Sequence, residues 1–418
     1  MRLIVDWHIH SKYSRACSRD LELPTIAKWC ERKGIQIVTT GDWTHPKWFE
    51  EMTRLLEEVG HGIYALRDHG STTRFMLTQE VSQIYKSGDK TRRVHNLIFS
   101  PSLETCARVN AMLDARGFNR KSDGRPILGI GSEELYKRLK EIDARIIMVP
   151  AHAWTPWYSV FGSKSGFDSL EECFGSMTPY IYAVETGLSS DPPMNRRLSA
   201  LDRVSVISNS DAHSCRKLGR EANVFDLSKD EVSYDTFVEI LRTRDAKRFL
   251  YTIEFYPEEG KYHADGCASC GFFSTPTESR RAGLRCPSCK KPLTLGVLHR
   301  VEALADRPDG IGRGISHKYI VPLEEVLAEA FNVSSGSSKK VQEEYDRLTS
   351  HVADEFTLLL DVPLEQIATR TSSSQVVEAI HRMREGQIHI SPGYDGIFGT
   401  VKIFDPKEKK KPLQGSLL

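Results

Sequence analysis

His8-Ile9-His10 and Asp211-Ala212-His213 are the two stretches in this chain whose residue types and spacing could do chemistry. Two residues apart on an extended strand, the side chains of each pair point to one face. Each pair follows a β-rich run, Leu3-Ile4-Val5 before the first and Val204–Ser208 before the second. Imidazoles and carboxylates gathered at strand ends are the donor set of a hydrolytic metal site, where a bound ion activates water and polarises a phosphoryl or carbonyl oxygen.

The elements that must position these groups recur along the first 225 residues. β-rich runs fall at Leu3–Trp7, Ile35–Thr40, Arg74–Thr78, Val94–Phe99, Arg145–Val149, Tyr180–Val184 and Val204–Ser208. Pro24–Lys33 and Glu133–Ile142 carry the apolar spacing of amphipathic helices between them. Such alternation predicts a parallel sheet or barrel. Each run brings a polar residue: His8 and His10 after the first, Asp42 after the second, Glu80 after the third, His95 early in the fourth, His152 after the fifth, Glu185 ending the sixth, and Asp211 and His213 after the seventh. A closed barrel collects its strand ends at one mouth, which favours the barrel and makes these residues candidate ligands of several metals. His45, three residues beyond Asp42, reads more simply as a surface or core histidine.

As a set, HxH, Gly41-Asp42, Glu80, the His95-Asn96-Leu97-Ile98 run, Ala151-His152, Val184-Glu185 and Ser210-Asp211-Ala212-His213 resemble the PHP (polymerase and histidinol phosphatase) family. The resemblance implies a distorted seven-stranded β/α barrel with a two- or three-metal phosphoesterase site using Mg2+, Mn2+ or Zn2+. In it His8, His10, Asp211 and His213 would be central to catalysis. Two positions depart from the family pattern. Trp43 stands where many members have a histidine, and Ser14-Arg15-Ala16 stand where many have an acid or histidine.

Beyond the barrel, Cys267-x-x-Cys270 and Cys286-x-x-Cys289 are spaced C-x2-C-x15-C-x2-C, a strong signature of a structural zinc ribbon. Four thiolates leave no open position on the ion, so this zinc is structural. The remaining cysteines of the nine are scattered singly, as buried small hydrophobes are. Arg280, Arg281, Arg285, Lys290 and Lys291 make the module locally basic, although the net charge of the chain is only +1. Any nucleic-acid face must therefore be local. No apolar run approaches a membrane span. The start of the chain lacks a signal-peptide layout, which predicts an intracellular protein.

Further on, Pro322–Phe331, Lys340–Leu360, Leu364–Thr369 and Ser374–Arg384 read as helices, followed by short strands at Ile388–Ile390 and Thr400–Ile403. The basic-to-apolar tail Lys407–Leu418 reads as disordered. The expected division is 1–255 barrel, 256–306 ribbon and 307–418 mainly helical.

Barrel, ribbon and helical tail together resemble the endonuclease Q family, a match strengthened by Trp7–Ala16 and Gly296–Glu302. The resemblance implies DNA repair: nicking 5′ of a deaminated base (uracil, hypoxanthine, xanthine) or of an abasic site, with lesion-bearing DNA as the partner. A small-molecule phosphatase would not need the ribbon, and a non-catalytic DNA-binding protein would not need the ligand set. Lys12, Arg15, Trp154, Trp157 and Tyr158 are candidate substrate-binding residues. The aromatic loop could stack a base or simply pack itself. Arg67, Arg74, Lys86, Lys90, Arg92 and Arg93 could track phosphates or form a solvated face. The sequence leaves the oligomeric state open.

Overall fold

The computed structural model describes residues 1–67 and 70–405. The tail Lys407–Leu418 lies outside the described residues. All seven predicted runs contain strands: β1 (Arg2–Asp6), β2 (Ile37–Thr39), β3 (Arg74–Ser87), β4 (Lys90–Ser100), β5 (Ile147–Pro150), β6 (Ala183–Glu185) and β7 (Ser205–Ile207). Three more are β8 (Ala222–Asp226), β9 (Phe249–Glu254) and β10 (Ser316–Tyr319). The fold is mixed α/β around an eleven-stranded sheet that runs β10-β9-β8-β1-β2-β3. Beyond β3 the sheet holds a hairpin of Leu56–Gly60 and Ile63–Leu66, the short strand Ile127–Leu128, and β4 with β5. β6 and β7 form a separate parallel pair. Backbone bonds tie this pair to its neighbours: Ala153 N–H to Glu185 O at 2.9 Å beyond β5, and His10 N–H to Ala212 O at 3.1 Å beyond β1.

β1 shows why these strands read as unbroken apolar runs rather than alternating ones. Leu3, Ile4 and Val5 are all buried, because both faces of the sheet are covered. On one face Trp7 packs against Phe99, Phe225 and Phe237 at ring separations of 5.4–5.6 Å.

Two expectations need correction. The sheet is not all parallel: β4 pairs antiparallel with both β3 and β5. β3 also does not stop at Thr78. It runs for 14 residues and returns through a hairpin at Gly88-Asp89 into β4. Glu80 therefore lies inside a strand. Because β4 runs the other way, its earlier residues, not its later ones, reach the end of the sheet where the other strands finish. That accounts for His95 preceding most of its run.

The predicted helices fall at Leu23–Lys33, Ser132–Ile142, Leu323–Phe331, Leu364–Ala368 and Ser374–Arg384. The long helix expected over 340–360 is two helices, Lys339–His351 and Glu355–Leu360. The break is made by Asp354, whose carboxylate accepts from Thr357 N–H as an N-cap. Asp354 also sits against Gly34, which ends the first helix with φ 81°. A Cβ there would meet Asp354 Oδ1 at 1.9 Å, so both the left-handed turn and the close approach require glycine. No helix among the described residues is long and apolar enough to cross a membrane.

A buried ion pair joins the C-terminal helices to the first helix. Lys33 Nζ lies 2.9 Å from Glu355 Oε2, with both residues 4% exposed. Tyr345 Oη and Leu323 N–H also donate to that carboxylate. Burial alone would raise the Glu355 carboxyl, but Lys33 and Tyr345 outweigh it and hold it below its ordinary value. Lys33→Met leaves that carboxylate without its cation and is expected to destabilise the fold by about 3–5 kcal/mol in denaturant melts. The sign with pH follows from the depressed folded pKa. The stabilisation is present above the unfolded carboxyl pKa and lost as pH falls through the folded one. The wild type should therefore lose stability in acid more steeply than the variant.

Candidate metal centre and the adjoining cavity

Asp6, at the end of β1, draws the two sequence motifs together. Its buried carboxylate accepts from the backbone N–H groups of His8 (3.3 Å), Ser210 (3.1 Å) and Gly219 (3.0 Å). Burial raises this carboxyl to about 6 despite those bonds. Asn209 adds a second tie, accepting from Trp7 N–H at 2.9 Å and donating to Glu185 Oε1 at 2.8 Å. Asp42, His152 and Asp211 have φ of 49°, 32° and 46°. Left-handed backbone at non-glycine residues costs on the order of 1–3 kcal/mol each and persists where the surroundings hold it, commonly at functional sites. Gly187 lies close against His152: a Cβ there would stand 2.3 Å from His152 Cβ. On β3 and β4, His95 is directly opposite Ser82, two residues from Glu80, so Glu80 and His95 share one face.

The side chains converge in two groups that share Glu80. His8, His10, Glu80 and Asp211 offer ligand atoms that all lie within 4.8 Å of one another, and so do Glu80, His95 and His152. In the first group His10 Nε2 is 3.2 Å from Glu80 Oε2 and 3.1 Å from Asp211 Oδ1. His8 Nε2 is 3.5 Å from each of the same carboxylates and, although buried, has no hydrogen-bond partner. In the second, Glu80 Oε1 lies 2.5 Å from His95 Nδ1 and 3.0 Å from His152 Nε2. An orphaned buried imidazole nitrogen aimed at carboxylates, and a carboxylate with one oxygen in each group, fit divalent metal binding, with Glu80 a member of both groups.

The other predicted ligands stand behind these. Glu185 contacts His8 Nδ1 at 3.0 Å and also accepts from His152 N–H at 2.8 Å. Asp42 contacts His10 Nδ1 at 3.1 Å and accepts from Ser11 and Ser14. A carboxylate on the far ring nitrogen fixes the tautomer and aim of a ligating imidazole. Ser14 and Trp43 occupy the positions that depart from the PHP pattern: Ser14 bonds Asp42, and Trp43 is fully buried. His213 is not drawn into either group. Its side chain is 34% exposed, with Nδ1 3.6 Å from Asp211 Oδ1 and its ring 4.7 Å from that of His10. His45 precedes the helix Pro46–Leu55 and stacks on Tyr13 at 4.3 Å.

Arg125 is a site residue that sequence reading missed. Its Nη1 lies 2.8 Å from Glu80 Oε2. Burial alone would raise the Glu80 carboxyl, but Arg125, His95 and His8 outweigh it and hold it well below the usual carboxylate range. Arg125 sits in a loop without a motif, so no local signal marks it.

The candidate substrate residues divide. Trp154 is fully buried, packs on Phe161 at 4.8 Å and donates to Asn195 Oδ1 at 2.8 Å, which removes it as a stacking surface. A large apolar ring two residues past a strand-end ligand turned into the core rather than the mouth. Trp157, 40% exposed, and Tyr158 do line a cavity of about 460 Å3 beside the metal centre. Its wall also includes His95, His152 and Asp211, then Lys261, Tyr262, His263 and Phe398 from later in the chain. Lys12 is engaged by Glu22 and Glu51, at 2.9 and 3.0 Å, while the Arg15 side chain is 75% exposed. Arg67, Arg74 and Arg92 donate to backbone carbonyls, which favours a structural reading of those basic loops over a phosphate groove.

Cys267, Cys270, Cys286 and Cys289 bring their sulfurs within 4.8 Å of one another and can hold a metal ion. Gly271 makes the turn after the first pair with φ 62°. The cluster is fastened on both sides. Asp395 accepts from Ala268 N–H and Thr294 Oγ1, and Asp265 contacts His299 Nδ1 at 2.7 Å. Arg300, next to His299, donates to Phe161 O and Phe167 O and pairs with Asp168 at 2.6 Å. Those bonds account for the Gly296–Glu302 segment, which links the cysteine module to the aromatic loop region.

Comparison with known proteins agrees with this geometry. A family model described as the MJ0043 C-terminal domain matches residues 322–387. The uncharacterized protein MJ0043 of Methanocaldococcus jannaschii is 28% identical over 297 residues, 68% of this chain, and the match spans 36% of that longer protein. The uncharacterized protein YqxK of Bacillus subtilis is 28% identical over 89% of this chain and 90% of its own length. The crystal structure of the lesion-specific endonuclease PfuEndoQ from Pyrococcus furiosus superposes with a TM-score of 0.85 at 29% identity, covering 98% of both chains. An endonuclease Q solved with a 27-mer duplex bearing an abasic lesion at its active site superposes with a TM-score of 0.83 at 30% identity, covering 97% of both chains. With sequence identity and superposition in agreement over nearly the whole length, this chain belongs to the endonuclease Q family.

Proposed function

We propose that this chain is a metal-dependent DNA repair endonuclease that hydrolyses the phosphodiester 5′ of a deaminated base or an abasic site. The observation that carries the reading is a pair of ligand groups bridged by Glu80, opening on an aromatic-walled cavity. Within it, we read β1–β7 as a distorted seven-stranded barrel whose strand ends form one mouth, the four-cysteine module as a zinc ribbon, and 1–255, 256–306 and 307–418 as the working divisions.

His8, His10, Glu80 and Asp211 would hold one divalent ion and Glu80, His95 and His152 a second; the mixed imidazole and carboxylate donors suit Zn2+ or Mn2+ better than Mg2+. Ions bound there would supply Lewis-acid polarisation of the phosphate and a water of lowered pKa. Asp42 and Glu185 aim His10 and His8. Arg125 offsets the charge of Glu80 and, at 25% side-chain exposure, also faces solvent beside the site, where it can meet a phosphate oxygen. The cavity suits an extruded nucleoside in volume and lining. Trp157 meets Tyr262 edge-on at 5.5 Å on its wall.

The test is nicking of duplexes carrying deoxyinosine, deoxyuridine, an abasic site or no lesion, with Trp157→Ala alongside. The wild type should cut the lesions and spare the undamaged duplex. Trp157→Ala should lose roughly ten- to a hundredfold in kcat/KM on the base lesions, the worth of one stacking contact, with less loss at an abasic site. Equal cutting of all four duplexes by the wild type would reject the reading.

A further inference from the structure

The segment Asp123-Gly124-Arg125 packs beside Asp42 at the edge of the metal centre. Gly124 lies so close that a Cβ there would collide with Asp42 Oδ2 and Ser14 Oγ, so the approach requires glycine. Its N–H donates to Tyr13 O at 3.0 Å, and its carbonyl accepts from Gln79 Nε2 at 2.9 Å and Thr44 Oγ1 at 3.3 Å. Asp123 Oδ1 accepts from the backbone N–H groups of Arg125 at 3.1 Å and Arg15 at 3.3 Å. Held in this way, the segment delivers Arg125 Nη1 to Glu80 Oε2 at 2.8 Å, the same oxygen that lies 3.2 Å from His10 Nε2. The His10 ring is in turn 4.7 Å from that of His213.

A third metal ion does not fit these residues. The positions where many PHP members carry further donors hold Trp43, which is fully buried, and Ser14, whose hydroxyl donates to Asp42 at 2.9 Å. Asp42 itself is engaged by Ser11, Ser14 and His10 and faced by Gly124. Among the described residues, His213 belongs to no group that could hold a metal ion. Resting on the two-ion endonuclease reading above, we infer that Asp123-Gly124-Arg125 takes the place of a third ion: Gly124 closes the space beside Asp42, and Arg125 supplies a fixed cation that binds an anionic oxygen of the scissile phosphodiester. A guanidinium is always charged in a protein and presents a planar fork of donors that matches a phosphate. Glu80, and then Asp211 and Asp123, strengthen its hold on the proton. With 25% of its side chain exposed, it can be reached from solvent. A guanidinium does not activate water as a metal ion does, so its part is to hold and neutralise the phosphate.

The test loads the full-length protein with Mn2+ or Zn2+, counts the bound metal, and measures nicking of an abasic duplex. The wild type should hold at most one ion for each of the three ligand groups, the cysteine cluster included. Arg125→Ala should keep that metal, because Arg125 is not a ligand. It should nonetheless lose roughly a hundred- to a thousandfold in kcat/KM, the worth of one donor aimed at developing negative charge. Arg125→Lys, which keeps the charge without the fork, should fall between the two. Free guanidinium ion should restore part of the rate to Arg125→Ala and leave the wild type unstimulated. A further ion in the barrel of the wild type would overturn the inference even if no variant folds. So would wild-type nicking by Arg125→Ala, or no restoration by guanidinium in a variant that keeps its metal. A loss of nicking that follows a loss of barrel metal would also overturn it, because Arg125 would then only prop Glu80. Failure of the endonuclease reading is separate: the wild type would not nick the abasic duplex at all, whatever its metal count.

Discussion

Glu80→Gln is expected to lower kcat/KM for nicking by at least roughly a thousandfold, the effect of removing several kcal/mol of metal-borne charge stabilisation. The variant should also retain less metal in both ligand groups, since one oxygen of Glu80 faces each of them. Glutamine keeps the volume and a carbonyl but not the charge, so packing of β3 should survive. The cysteine module does not touch this residue and should keep its metal. Asp42→Asn and Glu185→Gln provide the contrast. They act on the far nitrogens of His10 and His8 and should weaken metal retention by about 10- to 100-fold without removing a ligand. Metal analysis alongside the nicking rate separates the two classes. Wild-type nicking by Glu80→Gln would remove the bridging role and the two-ion reading with it.

Cys286→Ser should act through the other metal site. Cys286 is fully buried, and its sulfur is one of four in the cluster. In sites of this kind the free energy of zinc binding, about 10–16 kcal/mol, is also the folding free energy of the module. Losing one thiolate should release one equivalent of zinc, loosen the module, and leave metal held by the two Glu80 groups in place. The cavity should suffer too, because Lys261, Tyr262 and His263 lie on the segment that leads into it, held by the Gly266–Thr294 and Ala264–Tyr394 pairings. DNA affinity is expected to fall by about tenfold or more, with cleavage of base lesions falling further than that of abasic sites. Unchanged DNA affinity after confirmed zinc loss would show that the module does not serve substrate binding.

Much of the site was legible because its residues follow strands. His8, His10, Asp42, His152, Glu185 and Asp211 each lie within a few residues of an apolar run that folds as β1, β2, β5, β6 or β7. The cysteine spacing was equally plain, since two knuckles make a tetrahedron wherever they fold. His95 was found by its run, but its position made no sense until β4 proved antiparallel. Trp154 illustrates the opposite limit. Proximity to His152 in sequence suggested an exposed ring, but local order does not say which side chain of a loop turns inward, and that one pairs with Asn195 in the core.

The order and identity of the strands, the ligand types and the thiol cluster follow from short-range pattern: apolar runs, two-residue periodicity and turn residues act over a few positions. The division of labour among the ligands does not. Whether a carboxylate meets the near or far nitrogen of an imidazole depends on which strands are neighbours and on left-handed backbone at Asp42, His152 and Asp211. Arg125 reaches Glu80 across 45 residues, and His263 lines the same cavity as Trp157, more than a hundred residues earlier in the chain. These are contacts between segments whose spacing in the chain carries no regular period, so only the packed sheet and the module docked on it bring them together.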